Sequence, residues 1–147
     1  MRRGTTLLEL LVVITILGIL TAIAVPAYRG ITTWSKRSAA TELVVRIREV
    51  RHTAITSGQN CTITFYDFSR QYRVDLPGER LWIKLPEGVS FAANNFPLTS
   101  NRPTLSFRFT GAPNRGGHVV LRDLQGTMLY VIVTPVTGRV RLDTKPP

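Results

Sequence analysis

The sequence is poor in the residues that build chemical sites. Its 147 residues include one cysteine, Cys61, and two histidines, His52 and His118. A single cysteine excludes an intramolecular disulfide. The histidines lie far apart without a carboxylate cluster, and the chain has no metal-ligand spacing, phosphate-binding loop or nucleophile motif. We therefore expect a protein that is not an enzyme, with no catalytic residue, no metal site and no cofactor.

Charge is scarce near the start of the chain. Between Gly4 and Arg29 the one charged residue is Glu9, and residues 10–26 have none. With its flanks this apolar run has about 20 residues, the length that crosses a hydrocarbon core of about 30 Å. The basic stub Met1–Gly4 precedes it. By the positive-inside rule, the N-terminus lies in the cytoplasm and the residues from 29 onward lie outside.

Two simpler interpretations compete with an assembly role for this segment. A secretory signal peptide has an apolar centre of about 7–15 residues, shorter than the run here, and an acid such as Glu9 fits it poorly. A plain membrane anchor leaves Glu9 unexplained, because a carboxylate inside a membrane is costly unless it has a partner. Since the segment itself offers no cation, we expect that partner on another copy of the helix.

The residues Arg3-Gly4-Thr5-Thr6-Leu7-Leu8-Glu9-Leu10-Leu11-Val12-Val13-Ile14 resemble the N-terminal signature of type IV pilins and type II secretion pseudopilins. The resemblance implies that a prepilin peptidase cuts after Gly4 and methylates the new amine of Thr5, a position where phenylalanine is usual. It implies that Glu9 neutralises the free amine of a neighbouring subunit during filament assembly and that Pro26 kinks the helix. The implied partners are other pilin or pseudopilin subunits, the peptidase and the cytoplasmic membrane.

Beyond Pro26 the chain has the pattern of an amphipathic helix. Apolar residues recur every three or four positions, which predicts one buried helix face: Ile31, Trp34, Ala40, Leu43, Val44, Ile47, Val50 and Ala54. Gly58 is a natural stop, so the predicted helix runs from about Thr5 to Ser57. We interpret the basic residues of this stretch as its solvated face: Lys36, Arg37, Arg46, Arg48 and Arg51.

From Cys61 onward the apolar period changes from 3.6 to 2, which predicts short antiparallel strands separated by turns. The candidate strands are Cys61–Phe68, 71–76, 81–85, 104–109, Val119–Arg122, Met128–Val133 and Arg139–Leu142. The segment Ala92–Pro103 is predicted to be the longest irregular loop. The expected fold class is α+β, a long N-terminal helix packed against an antiparallel β-sandwich-like domain. The expected division is a leader (1–4), a transmembrane and assembly helix (5–28), its amphipathic continuation (29–58) and the β domain (59–147).

The C-terminal half resembles the GspH/FimT group of minor pseudopilins and minor pilins. The resemblance rests on Phe109 to Gly117 and on Thr134-Pro135-Val136-Thr137-Gly138-Arg139-Val140-Arg141. It extends the implied fold to two antiparallel sheets on the long helix. The Gly138-Arg139-Val140-Arg141 segment, a Gly-Arg-x-Arg pattern, resembles the DNA-binding motif of FimT-type minor pilins used in DNA uptake.

Two arginines near the C-terminus carry a separate hypothesis. Arg139 and Arg141 share one strand face with Cα atoms about 6.6 Å apart, close to the phosphate spacing of a nucleic-acid strand. Gly138 would let a ligand approach, and the net charge of +10 favours anionic partners. The alternative is an edge strand whose arginines prevent sheet-to-sheet aggregation.

The leading functional hypothesis is a filament subunit. The chain would be a minor pseudopilin or minor pilin that assembles into a type II secretion pseudopilus or a type IV pilus. It would cross the inner membrane once, with its C-terminal domain outside the cytoplasm, and then enter a periplasmic or cell-surface filament. The alternative, from a different class, is a DNA receptor for uptake that uses Gly138, Arg139 and Arg141.

Overall fold

The computed structural model of the protein describes the backbone of residues 7–147 and the side chains of residues 7–22 and 35–147. One helix, α1, spans Leu7–Ser57 and ends one residue before Gly58, whose φ of 69° fits the predicted stop. Nine strands follow: β1 (Cys61–Tyr66), β2 (Gln71–Leu76), β3 (Glu79–Lys84), β4 (Ser90–Asn94), β5 (Leu98–Thr99), β6 (Arg102–Phe107), β7 (Gly117–Arg122), β8 (Met128–Val133) and β9 (Val140–Asp143).

The strands form two antiparallel sheets against the helix. The first sheet has the order β3-β2-β1-β6-β5, and the second has the order β4-β7-β8-β9. Helix α1 contacts β1, β2 and β6 of the first sheet and β7, β8 and β9 of the second. The predicted α+β class, with a long helix on antiparallel sheets, is confirmed.

The core lies between the helix and the two sheets. Every member of the predicted helix face whose side chain is described is buried: Ala40, Leu43, Val44, Ile47, Val50 and Ala54. They meet side chains of β1 and β6, including Phe65 and Phe107, in one apolar cluster. Each fully buried leucine or isoleucine contributes about 1.5–3 kcal/mol to stability. The other two predicted members, Ile31 and Trp34, lie outside the described side chains.

The prediction that Ala92–Pro103 is an irregular loop is wrong. This segment contains the end of β4, all of β5 and the start of β6. Its prolines and asparagines hide the strand pattern, and β4 has a register shift between Phe91 and Ala93 that breaks the alternation. Pro103 is tolerated in β6 because its partner there, β5, is only two residues long.

Several predicted strand bounds also differ from the structure, and β3, β6 and β7 each begin two residues before the predicted start. The strand from Cys61 stops at Tyr66, because Asp67–Ser69 forms a 3₁₀ turn closed by Arg70 with a φ of 52°. The last strand begins at Val140, one residue later than predicted. Cys61, at the start of β1, is buried.

Candidate functional site: the exposed helix and its attachment to the domain

The first part of α1 exposes its apolar side chains on all sides. Every residue from 7 to 22 is exposed. Leu7 is 83% exposed, and Leu20, more than three turns later, is still 58% exposed. An apolar helix of this kind needs lipid or other helices around it, because its own domain covers none of these residues. The segment 7–22 is therefore the described part of the candidate assembly surface.

Glu9 is the one charged residue of this segment and lies in the first turn of α1. A carboxylate there is favoured by the positive end of the helix dipole. The two threonines of the segment bond within the helix: Thr15 Oγ1 donates to the Leu11 carbonyl at 2.7 Å, and Thr21 Oγ1 donates to the Leu17 carbonyl at 2.9 Å. Their hydroxyls are thus satisfied in an apolar medium.

The other predicted processing and assembly residues lie outside this description. Gly4 and Thr5 precede the described residues, and the side chain of Pro26 is not among those described. The predicted transmembrane span, 5–28, extends past the described side chains at both ends. Among the residues that the structure describes, no helix is long and apolar enough to cross a membrane. The roles of Gly4, Thr5, Glu9 and Pro26 stay predictions.

A buried ion pair fastens the helix to the second sheet. Lys36 Nζ donates to Asp123 Oδ2 at 2.8 Å, and the two side chains are 4% and 0% exposed. The other carboxylate oxygen of Asp123 accepts the backbone N–H groups of Gln125 and Thr127 in the β7–β8 turn. Burial raises the pKa of Asp123, but the Lys36 hydrogen bond and the backbone N–H of Thr127 outweigh it, so the pKa lies below its usual value.

This pair corrects the prediction that Lys36 belongs to the solvated face. Lys36 precedes Ala40 by four positions, so the helical period itself puts it on the buried stripe. That spacing was the one signal in the sequence. Charge alone suggested exposure, which holds for Arg37 but not for Lys36.

Two arginines of the same helix hold the C-terminal part of the domain. Arg48 Nη2 donates to the Val140 carbonyl at 3.2 Å, and Arg51 Nε donates to the Gly111 carbonyl at 3.0 Å. Arg48 is exposed, as predicted for the solvated face, and makes this contact from the edge of that face, whereas Arg51 is half-buried. Arg46 does face solvent, where its Nη1 lies 2.9 Å from Glu49 Oε2.

The structure separates the roles of Gly138, Arg139 and Arg141. Both arginines are exposed, and Val140 between them is buried, as the alternation predicts. Arg141 Nη1 lies 4.0 Å from Asp143 Oδ2. Gly138, however, is buried, and a Cβ there would lie 3.0 Å from the Gly111 carbonyl oxygen. Its φ is 62°, so the glycine serves a close approach of the chain to itself and not the approach of a ligand.

The described residues hold no group of three or more histidine, cysteine, aspartate or glutamate side chains that could bind a metal.

Comparison with known families gives two matches along this chain. Residues 1–25 match the prokaryotic N-terminal methylation motif. Residues 39–138 match the family described as type II transport protein GspH, which is more than half of the chain. The chain belongs to the GspH family. No curated protein sequence matches it significantly.

Solved structures share the fold at low sequence identity. The minor pseudopilin EpsH from the type 2 secretion system of Vibrio cholerae is 16% identical, with 74% of this chain and 95% of EpsH covered and a TM-score of 0.59. The type IV minor pilin FimU of Pseudomonas aeruginosa matches in two crystal forms, at 14% and 15% identity. The first match covers 74% of this chain and 87% of FimU with a TM-score of 0.57, and the second covers 73% of this chain and 91% of FimU with a TM-score of 0.54. The fold is thus that of minor pseudopilins and minor pilins.

Proposed function

We propose that this protein is a minor subunit of a type II secretion pseudopilus or a type IV pilus, anchored in the inner membrane before assembly. The observation that carries the proposal is that the methylation motif, matched over residues 1–25, contains the exposed apolar helical segment 7–22. An apolar helix that its own domain leaves uncovered is suited first to lipid and then to the packed helices of a filament. The role is structural, and its partners are other pilin-type subunits.

In this proposal, a prepilin peptidase cuts after Gly4, and the new amine belongs to Thr5. Glu9 then sets the register between subunits, because its carboxylate attracts the amine of a neighbour in a medium of low dielectric constant. Pro26 adjusts the path of the helix. The leader (1–4), the membrane and assembly helix (5–28), its continuation (29–58) and the β domain (59–147) are the units of this mechanism, with the domain outside the cytoplasm.

The processing step is tested by the intact mass of the protein from its native host. We expect a mature chain that starts at Thr5 with a methylated amine. A start near Ala24 or Ala27 would indicate ordinary signal peptidase and would contradict the proposal.

The assembly step is tested with Glu9→Ala, and Leu10→Ala is the matched control in the same turn. We expect Glu9→Ala to lower incorporation into filaments sharply, while processing and the melting temperature of the domain stay unchanged. Leu10→Ala removes apolar area but no charge, so it should assemble far better. Equal incorporation of the Glu9 variant and wild type would refute the neutralisation role.

The second candidate is DNA binding through Arg139 and Arg141. The exposure of both side chains is the observation that favours it. The internal packing of Gly138 removes one argument for it. It stays a separate hypothesis, and the salt dependence of binding tests it.

A further inference from the structure

Two contacts of α1 show which end of the domain faces the exposed segment 7–22. Lys36 pairs with Asp123 in the β7–β8 turn, and Arg51 donates to the Gly111 carbonyl in the loop after β6. Lys36 and Arg51 are 15 positions apart, which corresponds to about 22 Å along the helix. The β7–β8 turn therefore lies at the near end of the domain, toward segment 7–22, and the Gly111 loop lies at the far end.

Three chain segments meet at the near end. Residues of the turn after β1, of the β3–β4 connection and of the β7–β8 turn line one cavity of about 360 Å³. Arg70 comes from the first of these segments, Gly88 comes from the second, and Arg122 borders the third. Because the cavity joins them, they form one continuous surface, which we call the near-end surface: residues 67–70, 86–89 and 122–127.

Large apolar side chains project from the near-end surface. Phe68 is 107% exposed and Leu124 is 68% exposed. Neither side chain belongs to the core cluster, so packing of the domain does not explain why they are apolar. Exposed apolar residues beside basic ones are typical of segments that enter the boundary between lipid headgroups and acyl chains. The far end also exposes Phe109 and Val136, but that end points away from segment 7–22.

The near-end surface also carries positive charge. Arg70 and Arg122 are both exposed, and neither forms an ion pair with any residue that the structure describes. The carboxylate of Asp123 is already neutralised by Lys36. Together with their neighbours, five basic residues stand against three acidic ones: Lys36, Arg37, Arg70, Lys84 and Arg122 against Asp67, Glu87 and Asp123. The surface therefore suits an anionic partner.

We propose that the near-end surface docks on an anionic phospholipid bilayer. The inference rests on the proposed function, because the membrane anchor is what brings this end of the domain to a bilayer. In the docked state, a headgroup phosphate lies between Arg70 and Arg122, whose guanidinium groups bind phosphate in a planar fork. The side chains of Phe68 and Leu124 enter the headgroup region. Docking of this kind sets the orientation of the domain before the subunit enters a filament.

The length of α1 puts this surface within reach of the headgroups. The predicted span ends at residue 28, and Lys36 follows it by eight positions, or about 12 Å of helix. The headgroup layer occupies about 5–7 Å of that distance. Membrane helices tilt by about 20° on average, which lowers one side of the domain toward the bilayer. The far end, about 22 Å further along the helix, stays out of reach.

The test uses the full-length protein in lipid vesicles, with a fluorescent label on one introduced cysteine. Cys61 is fully buried, so it does not compete for the label. Ser69→Cys puts the label on the near-end surface, and Thr110→Cys puts it at the far end; both positions are exposed. A nitroxide on the lipid headgroups quenches a label that touches them. In vesicles that contain phosphatidylglycerol, we expect quenching at position 69 but not at position 110. In vesicles of phosphatidylcholine alone, the ratio of docked to undocked domain should fall by at least about tenfold.

Two pairs of changes on the near-end surface should weaken the docking. Arg70→Asn with Arg122→Gln should lower the docked-to-undocked ratio by about 25-fold, because each basic residue near an anionic surface contributes about fivefold. Asparagine accepts the positive φ of 52° at position 70. Phe68→Ser with Leu124→Ser should lower the ratio by at least about tenfold, because apolar area no longer leaves water.

The far end offers matched control pairs. Arg108 and Arg115 are exposed in the loop between β6 and β7, and Phe109 and Val136 are exposed apolar residues at the same end. Arg108→Gln with Arg115→Gln removes the same charge, and Phe109→Ser with Val136→Ser removes similar apolar area. Both pairs should leave quenching at position 69 unchanged. The melting temperature of each variant reports whether it is folded.

Flotation of the vesicles tests the anchor separately from the docking. A chain that floats with both lipid compositions but shows no quenching at position 69, or equal quenching with and without phosphatidylglycerol, would overturn the docking and leave the anchor intact. A chain that floats with neither composition would overturn the anchor and the docking together. Energy transfer between labelled copies, without quenching by the lipid, would assign this surface to a second copy of the chain and would also overturn the proposal.

Discussion

Removing the positive charge of Lys36 should destabilise the domain far more than removing a surface charge. Lys36→Met keeps most of the apolar stem and leaves Asp123 buried without its cation. Breaking a buried pair in this way costs about 3–5 kcal/mol. The backbone N–H groups of Gln125 and Thr127 still bind the carboxylate, so we expect the lower end, about 3 kcal/mol. At about 4 °C per kcal/mol, the melting temperature should fall by about 12 °C.

The matched control is Arg46→Met, which removes the cation of an exposed pair on the same helix. The Arg46 and Glu49 side chains are 34% and 45% exposed, and such pairs contribute at most about 1 kcal/mol. Chemical unfolding of the full-length protein in micelles, followed by circular dichroism, gives both free energies. Equal losses in the two variants would refute the argument that burial of the Lys36–Asp123 pair sets its importance.

The same pair gives a pH dependence with a defined sign. The pKa of Asp123 is lowered in the folded protein, so its stabilisation is present above the unfolded pKa of about 3.9 and is lost as pH falls below it. In the Lys36→Met variant, Asp123 loses its cation while its burial remains, so the pKa of Asp123 should rise above its usual value instead. The gap in unfolding free energy between wild type and variant should therefore narrow as pH falls from about 5 toward about 3. A gap that stays constant over this acid range would contradict the assignment.

Two further outcomes follow from the C-terminal part of the domain. Gly138→Ala should lower the free energy of unfolding by about 2 kcal/mol or more, because positive φ and a close contact combine; Gly126→Ala, with a φ of 81° but open space around it, should cost about 1 kcal/mol. Denaturant unfolding compares the two, and equal costs would show that the contact at Gly138 is unimportant. If Arg139 and Arg141 bind DNA phosphates, changing both to glutamine should reduce the log–log salt slope of affinity by roughly 2. An unchanged slope in titrations at several salt concentrations would remove this site.

Local periodicity was enough to predict much of the fold. The spacing of Leu43, Ile47 and Val50 predicts the buried helix face, and the alternation around Val140 predicts which arginines are exposed. Such patterns depend only on neighbours along one element, so they can be read from the sequence. The prediction of a loop at Ala92–Pro103 failed because β4 pairs with the distant strand β7 across a register shift, and because β5 and β6 share only two residue pairs, too few to leave an alternating pattern.

The contacts at the candidate site could not be predicted for a similar reason. The partner of Lys36 lies 87 positions away in a turn, and no local pattern identifies it. Gly138 looked like an opening for a ligand because the sequence does not reveal that Gly111 and Arg51 fill the space.

The attachment of the last described strand to the first helix constrains the order in which the subunit folds during synthesis. Arg48 donates to the Val140 carbonyl across 92 positions, so the buried face of α1 is completed only after β9 has left the ribosome. Contacts between such distant positions form slowly, because a long loop must close first. The apolar segment at the start of the chain emerges long before that. We expect insertion of the N-terminal segment to precede closure of the domain, and the amphipathic half of α1 to need protection from aggregation until translation is complete.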